Sequence, residues 1–485
     1  MIAIILCAGI GSRLAPMTYI KPKPLLEING ISLLENMIYY LKKGGVSDII
    51  VVCGYKAESF LKLGLDCKII NFSDYKNNNS AASLKFIQNY LQKGTIILNG
   101  DLYIKKDFCH LLKRDSTSIL AQKIEVDSSA WGYIVDRNSK ILDIDTHATS
   151  GWGDGVAFFD NEDEIKLFKE ALNQCKNSDY WEEAIIKTLE CINYYATFLD
   201  DLYIEIDSFC DANSLLSPLD IAKQCSSDGS AIRLAGITNT NYLINFLGTK
   251  KVIRIPGVGT QKVIDRENEK EILKLIAPLN ITPENEFFGS GIKFSDFLSD
   301  YKALEFCDIC DSTLRQIVEI LAKLHSFKHK DFPHFKKIYL LEEIKKYETL
   351  ACINLTTKLE HKFLLDTARE LDAGEFVLCH RDLQLPNILS NKIDIKIIDF
   401  EYAGFSNIIF ELGNMSAELL LNREQKEFLL NAYNAKNGVN LSYKDLLKGE
   451  LISNYIWSLW GWIYDRVDLG RDYLSRFHKN LAELV

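Results

Sequence analysis

The stretch His380-Arg381-Asp382 is followed five residues on by Asn387, and a second carboxylate, Asp399, closes the apolar run Ile395–Ile398 and stands before Phe400. That is the residue set of phosphoryl transfer from a nucleotide. Asp382 can orient an attacking hydroxyl and accept its proton, while the oxygens of Asn387 and Asp399 can hold the magnesium that bridges the phosphates. A helix-capping Asp or a turn Asn would account for either residue taken singly. It does not account for the spaced set between two buried strands.

The N-terminal end carries a second constellation. Ile2–Leu6 is apolar and runs at once into Ala8-Gly9-Ile10-Gly11-Ser12-Arg13-Leu14, with Lys23-Pro24-Leu25-Leu26 beyond. A buried strand ending in a glycine-rich turn lets the backbone N–H groups of Ala8, Gly9 and Gly11 approach phosphate oxygens, and Arg13 and Lys23 supply positive charge. A dinucleotide turn would need a third glycine where Leu14 stands. Asp101, after the apolar run Thr95–Leu98, and Asp207, in Tyr203-Ile204-Glu205-Ile206-Asp207-Ser208, are the candidate magnesium ligands. Asp207 could equally cap the helix that follows. The polar turn Asn77–Ser83 offers Asn78, Asn79 and Ser83 to a pyrimidine edge, or is simply an Asn-rich turn.

The elements that must position these groups follow from periodicity. Leu33–Lys43 has helical apolar spacing, Asp48–Val52 and Thr95–Leu98 read as strands, and strand and helix patterns alternate in α/β style up to the small, polar run Gln224–Ser230. The expected boundary lies near residue 228, giving domains 1–228 and 229–485. A net charge of −10 argues against a broad nucleic-acid footprint, so phosphate binding must be local. The 12 cysteines show no repeated zinc spacing, Cys307 and Cys310 included, and read as free thiols of a reducing compartment. No apolar run reaches the ~18 residues that cross a bilayer, and Met1–Gly9 lacks the charged start of a signal peptide, so a cytoplasmic protein is expected.

Two resemblances extend these readings. The run Ile398-Asp399-Phe400-Glu401-Tyr402-Ala403-Gly404, with Phe410-Glu411-Leu412-Gly413-Asn414 downstream, resembles choline and ethanolamine kinases of the aminoglycoside-phosphotransferase type; protein kinases show D-F-G where this chain has Asp399-Phe400-Glu401. The G-x-G-x-R-L and K-P-L-L pair, with E-I-D-S at residues 205–208, resembles sugar-phosphate and alcohol-phosphate nucleotidyltransferases, and the Asn-rich turn resembles that of phosphocholine cytidylyltransferases except that Ser80 replaces an expected Asn. Together they imply an α/β chain with a Rossmann-like nucleotidyltransferase domain followed by an α+β bilobal kinase-like domain.

The kinase resemblance further implies a nucleotide-covering turn at Asn239, a phosphate-binding Arg254, and a carboxylate partner for it at Glu269, with Glu267 the alternative. A solvated, charged helix start would also explain that acidic pair. The cytidylyltransferase resemblance implies that Trp131, Tyr133, Tyr180 and Trp181 surround a trimethylammonium, with Glu182 or Glu183 adding charge. In the kinase half, Trp457, Trp460 and Tyr464 fall on one helical face and, opposite carboxylates such as Glu401, imply a pocket for the same cation. The expectation is phosphorylation of choline by ATP and CMP transfer from CTP to phosphocholine, both with Mg2+. Ethanolamine chemistry, a sugar-phosphate transferase joined to a sugar kinase, and a regulatory pseudokinase stay open.

Overall fold

The computed structural model describes the backbone of residues 1–485 and the side chains outside 122–130 and 150–154. The chain forms two compact units, Met1–Pro256 with Phe288–Lys293 and Gly257–Phe287 with Phe294–Val485. Among the described residues, no helix is long and apolar enough to cross a membrane.

The first unit is built on a seven-stranded sheet. Its strands are β1 (Ile2–Cys7), β2 (Asp48–Cys53), β3 (Lys68–Asn71), β4 (Thr95–Asn99), β6 (Thr117–Val135), β7 (Ile141–Phe159) and β8 (Tyr194–Leu199), in the order β8-β6-β7-β4-β1-β2-β3. The continuous apolar runs noted in the sequence are the central strands: β1 is buried throughout and lies parallel to both β2 and β4, so it has no solvent face to mark with alternation. Leu33–Lys43 is the helix α1, started by a Ser32–Glu35 capping box. Register pairs Leu6 with Asn99, so the glycine turn after β1 and Asp101 after β4 leave the sheet along the same edge.

A two-stranded ribbon brings the third piece to that edge. β5 (Leu102–Ile104) runs antiparallel to β9 (Tyr203–Glu205) with Leu102 opposite Glu205, and the Ile206 N–H donates to the Asp101 carbonyl at 3.0 Å. Asp207 is thereby held beside Asp101 although 106 residues separate them. The expected boundary turn is tied down within this unit: the Ser227 N–H donates to the Asn245 carbonyl, and Asp228 accepts from Ser226 and Ser230. Beyond it follow three antiparallel strands, β10 (Ala231–Leu234), β11 (Thr240–Phe246) and β12 (Thr249–Ile255).

In the second unit, α3 (Arg266–Ile276) precedes a helical body. The stretch His380–Asn387 lies between two antiparallel strand pairs, β13 (Phe376–Cys379) with β16 (Gly404–Asn407), and β14 (Ile388–Ser390) with β15 (Ile395–Ile397). Three helices support it, α4 (Ile408–Glu418), α5 (Tyr443–Ile463) and α6 (Val467–Leu484). α4 and α5 cross backbone to backbone at Gly413 and Gly449, where a Cβ on Gly449 would lie 2.1 Å from the Ile409 carbonyl. The glycine of the E-L-G-N motif is thus a packing requirement. α5 is buried on nearly all sides, which explains its aromatic, unstriped composition. Tyr464 lies just past its end, as the C-cap.

Candidate active sites

In the first unit the charged groups converge. Lys23 Nζ donates to Asp101 Oδ2 at 2.8 Å and to Asp207 Oδ1 at 2.5 Å, and Arg13 reaches Asp207 Oδ2 at 2.8 Å. Burial pulls the Lys23 ammonium down, but the Asp101 and Asp207 carboxylates outweigh it and hold the group above its ordinary value. Asp207 does not cap the following helix: Ser208 does, in a box with Asp211. Glu205, two residues before Asp207 in the strand alternation, joins Asp101 and Asp207 in a cluster whose ligand oxygens lie within 4.8 Å of one another. Its i, i+2 spacing was the available signal, and sequence reasoning gave it no role.

The glycine turn behaves unevenly. Gly11 has φ +69°, and a Cβ there would meet the Lys23 side chain at 3.0 Å, so both backbone and neighbour require glycine. Gly9 faces open space, with nothing within 4 Å of a Cβ. The Ala8 carbonyl accepts the Tyr55 N–H.

The base-reading candidates are held in local hydrogen bonds. Asn79 caps α2 (Ser80–Phe86) by accepting the Ser80 N–H, Asn78 donates to the Asp74 carbonyl, and Ser83 donates to the Ser80 carbonyl. Ser80, which departs from the family pattern, accepts the Trp181 N–H. Of the four rings, Trp131 and Tyr180 meet edge to face at 5.8 Å, and Tyr180 is exposed. Tyr133 is buried in the core. Trp181 is only 1% exposed, packs near Phe168 and donates its indole N–H to Asn99 Oδ1, so it braces the strand leading to Asp101 instead of offering an open ring face. Glu182 accepts from the Asn99 amide.

Of the remaining nucleotide-turn candidates, Asn239 is buried and donates to Thr238, and Arg254 is buried with its guanidinium on the Gly291 carbonyl. In the second unit Glu269 is fully enclosed and accepts from Arg266 at 3.2 Å. The same Arg266 guanidinium bonds Glu401 at 2.8 Å, so the Glu401 charge is offset within its own unit.

The loop that carries Asp382 in the second unit is pinned from several directions. Asn387 Nδ2 donates to the Asp382 carbonyl and to Asp382 Oδ2, which turns its carbonyl oxygen away from that carboxylate. The Ile398 N–H donates to the Asn387 carbonyl, and His380 Nε2 lies 2.9 Å from the Ile398 carbonyl, so the loop and the strand bearing Asp399 are stitched together. Arg381 and Asp399 have left-handed φ values of 70° and 67°, costly for residues with a Cβ and held by these bonds.

Glu411 lies beneath the loop and accepts the His380 and Arg381 N–H groups at 2.7 and 2.8 Å. Burial, then the Glu418 and Asp399 charges, push the Asp382 carboxyl well above the usual range, against the Gln384 amide that bonds it. A 710 Å3 groove opens beside Gln384, lined also by Glu418, Tyr473 and Arg476. Burial pushes Glu418 up to about 7 even though Tyr473 donates to it. Neither Glu411 nor Glu418 received a role from the sequence; their signal was position on one helix with the E-L-G-N motif.

Four rings form a row in this unit. Tyr402 meets Trp457 at 5.3 Å, Trp457 meets Trp460 at 6.1 Å, Trp460 meets Tyr464 at 5.0 Å, and the Trp460 N–H donates to the Tyr402 hydroxyl. Burial, then the Glu401 and Asp382 carboxylates, raise the Tyr402 phenol well above its ordinary value.

Comparison with known proteins divides the chain earlier than the two compact units do, since the kinase match begins at residue 232, inside the first unit. The nucleotidyl transferase family model matches residues 2–145 and the choline/ethanolamine kinase model matches residues 232–439. The choline-phosphate cytidylyltransferase of Streptococcus pneumoniae is 30% identical over 225 residues, 44% of this chain and 96% of that protein. Protein LicA of Haemophilus influenzae is 27% identical over 240 residues, 46% of this chain and 89% of the relative. The crystal structure of choline kinase LicA from Streptococcus pneumoniae is 25% identical, with a TM-score of 0.45, over 52% of this chain and 93% of that one. The chain belongs to the nucleotidyl transferase family through its N-terminal part, and its C-terminal part, matched by the choline/ethanolamine kinase model, makes it a fusion of the two kinds of domain.

Proposed function

We propose that the chain runs two consecutive reactions. The C-terminal domain, residues 229–485, transfers the γ-phosphoryl group of ATP to the choline hydroxyl; the N-terminal domain, residues 1–228, joins the phosphocholine oxygen to the α-phosphorus of CTP, releasing pyrophosphate and CDP-choline. The observation that carries this reading is the pairing of a ring row, Tyr402-Trp457-Trp460-Tyr464, with the acidic surroundings of Asp382. Ring faces and carboxylates attract a quaternary ammonium that can donate no hydrogen bond. The exposed Tyr180 and the half-buried Trp131 beside it offer a comparable surface in the first unit.

In that reading Asp382 orients the choline hydroxyl and takes its proton. Arg13 and Lys23 draw the CTP phosphates towards the acidic cluster, and Ala8, Gly9 and Gly11 admit them to the backbone. Both centres suit magnesium. Asp101, Asp207, Asn387 and Asp399 are oxygen donors, and Asp101 Oδ1 is buried without a hydrogen-bond partner among the described residues. Bound there, the ion would offset phosphate charge.

The reading is tested with the full chain and two variants. Asp382→Ala abolishes phosphorylation of choline yet still converts supplied phosphocholine and CTP to CDP-choline; Asp101→Ala does the reverse. Loss of both activities in either variant would overturn the assignment of one reaction to each centre.

A further inference from the structure

Glu411 and Asn414 stand one turn apart on the same face of α4 and divide the backbone of the catalytic loop between them. Glu411 takes the N–H groups of His380 and Arg381, and Asn414 Oδ1 accepts that of Leu383 at 3.1 Å, so acceptors on α4 hold the loop on both sides of Asp382. Asn414 is fully buried, and its second function points elsewhere: Nδ2 donates to Ser453 Oγ, on α5, at 3.0 Å. Ser453, also fully buried, stands one turn after Gly449, where α4 and α5 touch, and one turn before Trp457, where the ring row begins.

One amide thus bonds the loop that carries Asp382 with one end and the helix that carries Trp457 and Trp460 with the other. A 3.0 Å hydrogen bond between two buried groups admits little sliding along the helix axis, because any shift leaves both unsatisfied. The crossing at Gly413 and Gly449 resists separation of the helices, and Ser416 on α4 donates to Glu450 on α5 at 2.5 Å beside it, but that bond touches neither the loop of Asp382 nor the ring-bearing end of α5, whereas the Asn414 amide reaches both.

We infer that Asn414 is a positioning residue that sets the distance between Asp382 and the aromatic row, and so selects the amino alcohol whose cationic end reaches the rings while its hydroxyl reaches Asp382. The inference rests on the kinase reading of this centre. It assigns the two halves of one side chain to different kinetic constants: the carbonyl to the loop and hence to turnover, the amide to the ring helix and hence to alcohol binding.

Ser453→Ala breaks the second link and leaves the first. In the full-length protein it should raise the KM for the alcohol at least fivefold, and narrow the preference between choline and ethanolamine, with kcat and the KM for ATP within twofold of wild type. Asn414→Leu, which removes both links, should lower kcat as well. The constants are taken on whichever alcohol the wild type phosphorylates best, so a failure of the choline reading leaves this test standing. An unchanged alcohol KM in Ser453→Ala would overturn the inference, as would a parallel rise in both KM values with a lowered melting temperature, which marks loss of fold alone. If Ser453→Ala does not fold, Ser453→Cys, which keeps a weak acceptor, must show the same split in smaller degree; equal KM values there would also overturn it.

Discussion

Lys23 occupies the carboxylates that the first centre would need for a divalent ion, and its removal therefore has a calculable sign. Its ammonium makes charge-assisted bonds to Asp101 and Asp207 at 2.8 and 2.5 Å. Such bonds contribute about 1.5–3 kcal/mol each, and the carboxylates, 19% and 29% exposed, are partly screened, so the lower figure applies. Together they amount to about 3 kcal/mol that an incoming cation must displace, or roughly a hundredfold in its dissociation constant. Lys23→Met keeps the length of the side chain and removes the charge. Manganese binding to the full chain, read by the loss of the free-ion paramagnetic signal, should tighten about a hundredfold, while CMP transfer is lost because the triphosphate has lost its cation. Both proteins would carry Asp399→Ala, so that the second centre does not contribute. Equal or weaker manganese affinity in Lys23→Met would refute the claim that lysine and metal share the Asp101–Asp207 pair.

Glu418, with a carboxyl pushed up to about 7, is half neutral near that pH, and only its ionised form offsets a permanent cation. The KM for choline should fall as pH rises from 6 to 8 and stay flat in Glu418→Gln, measured by coupled ADP release. Gly449→Ala would place a methyl group 2.1 Å from the Ile409 carbonyl, and forcing α4 and α5 apart should cost on the order of 1–3 kcal/mol or more in urea unfolding of the second unit.

The parts of this molecule that were legible in its sequence are those set by local pattern. The buried runs Ile2–Leu6 and Thr95–Leu98 appear as β1 and β4, and Leu33–Lys43 appears as α1, because burial on both sheet faces and a capping box are written in adjacent residues. The motif residues were legible because their spacing is chemical: Asp382, Asn387 and the strand before Asp399 are joined by the bonds described above. What pattern could not convey is which way a side chain spends its polar atoms. Asn79 caps a helix and Trp181 braces Asn99, uses decided by a single local N–H in one case and by a neighbour 82 residues away in the other. Glu411 and Asn414 stood inside the E-L-G-N run and Glu418 on the same helix, but the run assigned them no role, since a buried polar side chain beneath a loop is indistinguishable in sequence from an exposed one on a helix. Arg266 was likewise silent, yet it decides how much of the Glu401 charge remains for a ligand.

The most direct test incubates the purified full chain with ATP, CTP, magnesium and choline in one vessel, with ethanolamine and free sugars in parallel vessels, and follows the products by mass spectrometry. Phosphocholine should accumulate when CTP is withheld and pass on to CDP-choline when it is supplied, with choline consumed far faster than ethanolamine or any sugar. A nucleotide diphosphate conjugate formed only from the sugar vessels, or phosphocholine that never becomes CDP-choline in the presence of CTP, would contradict the account.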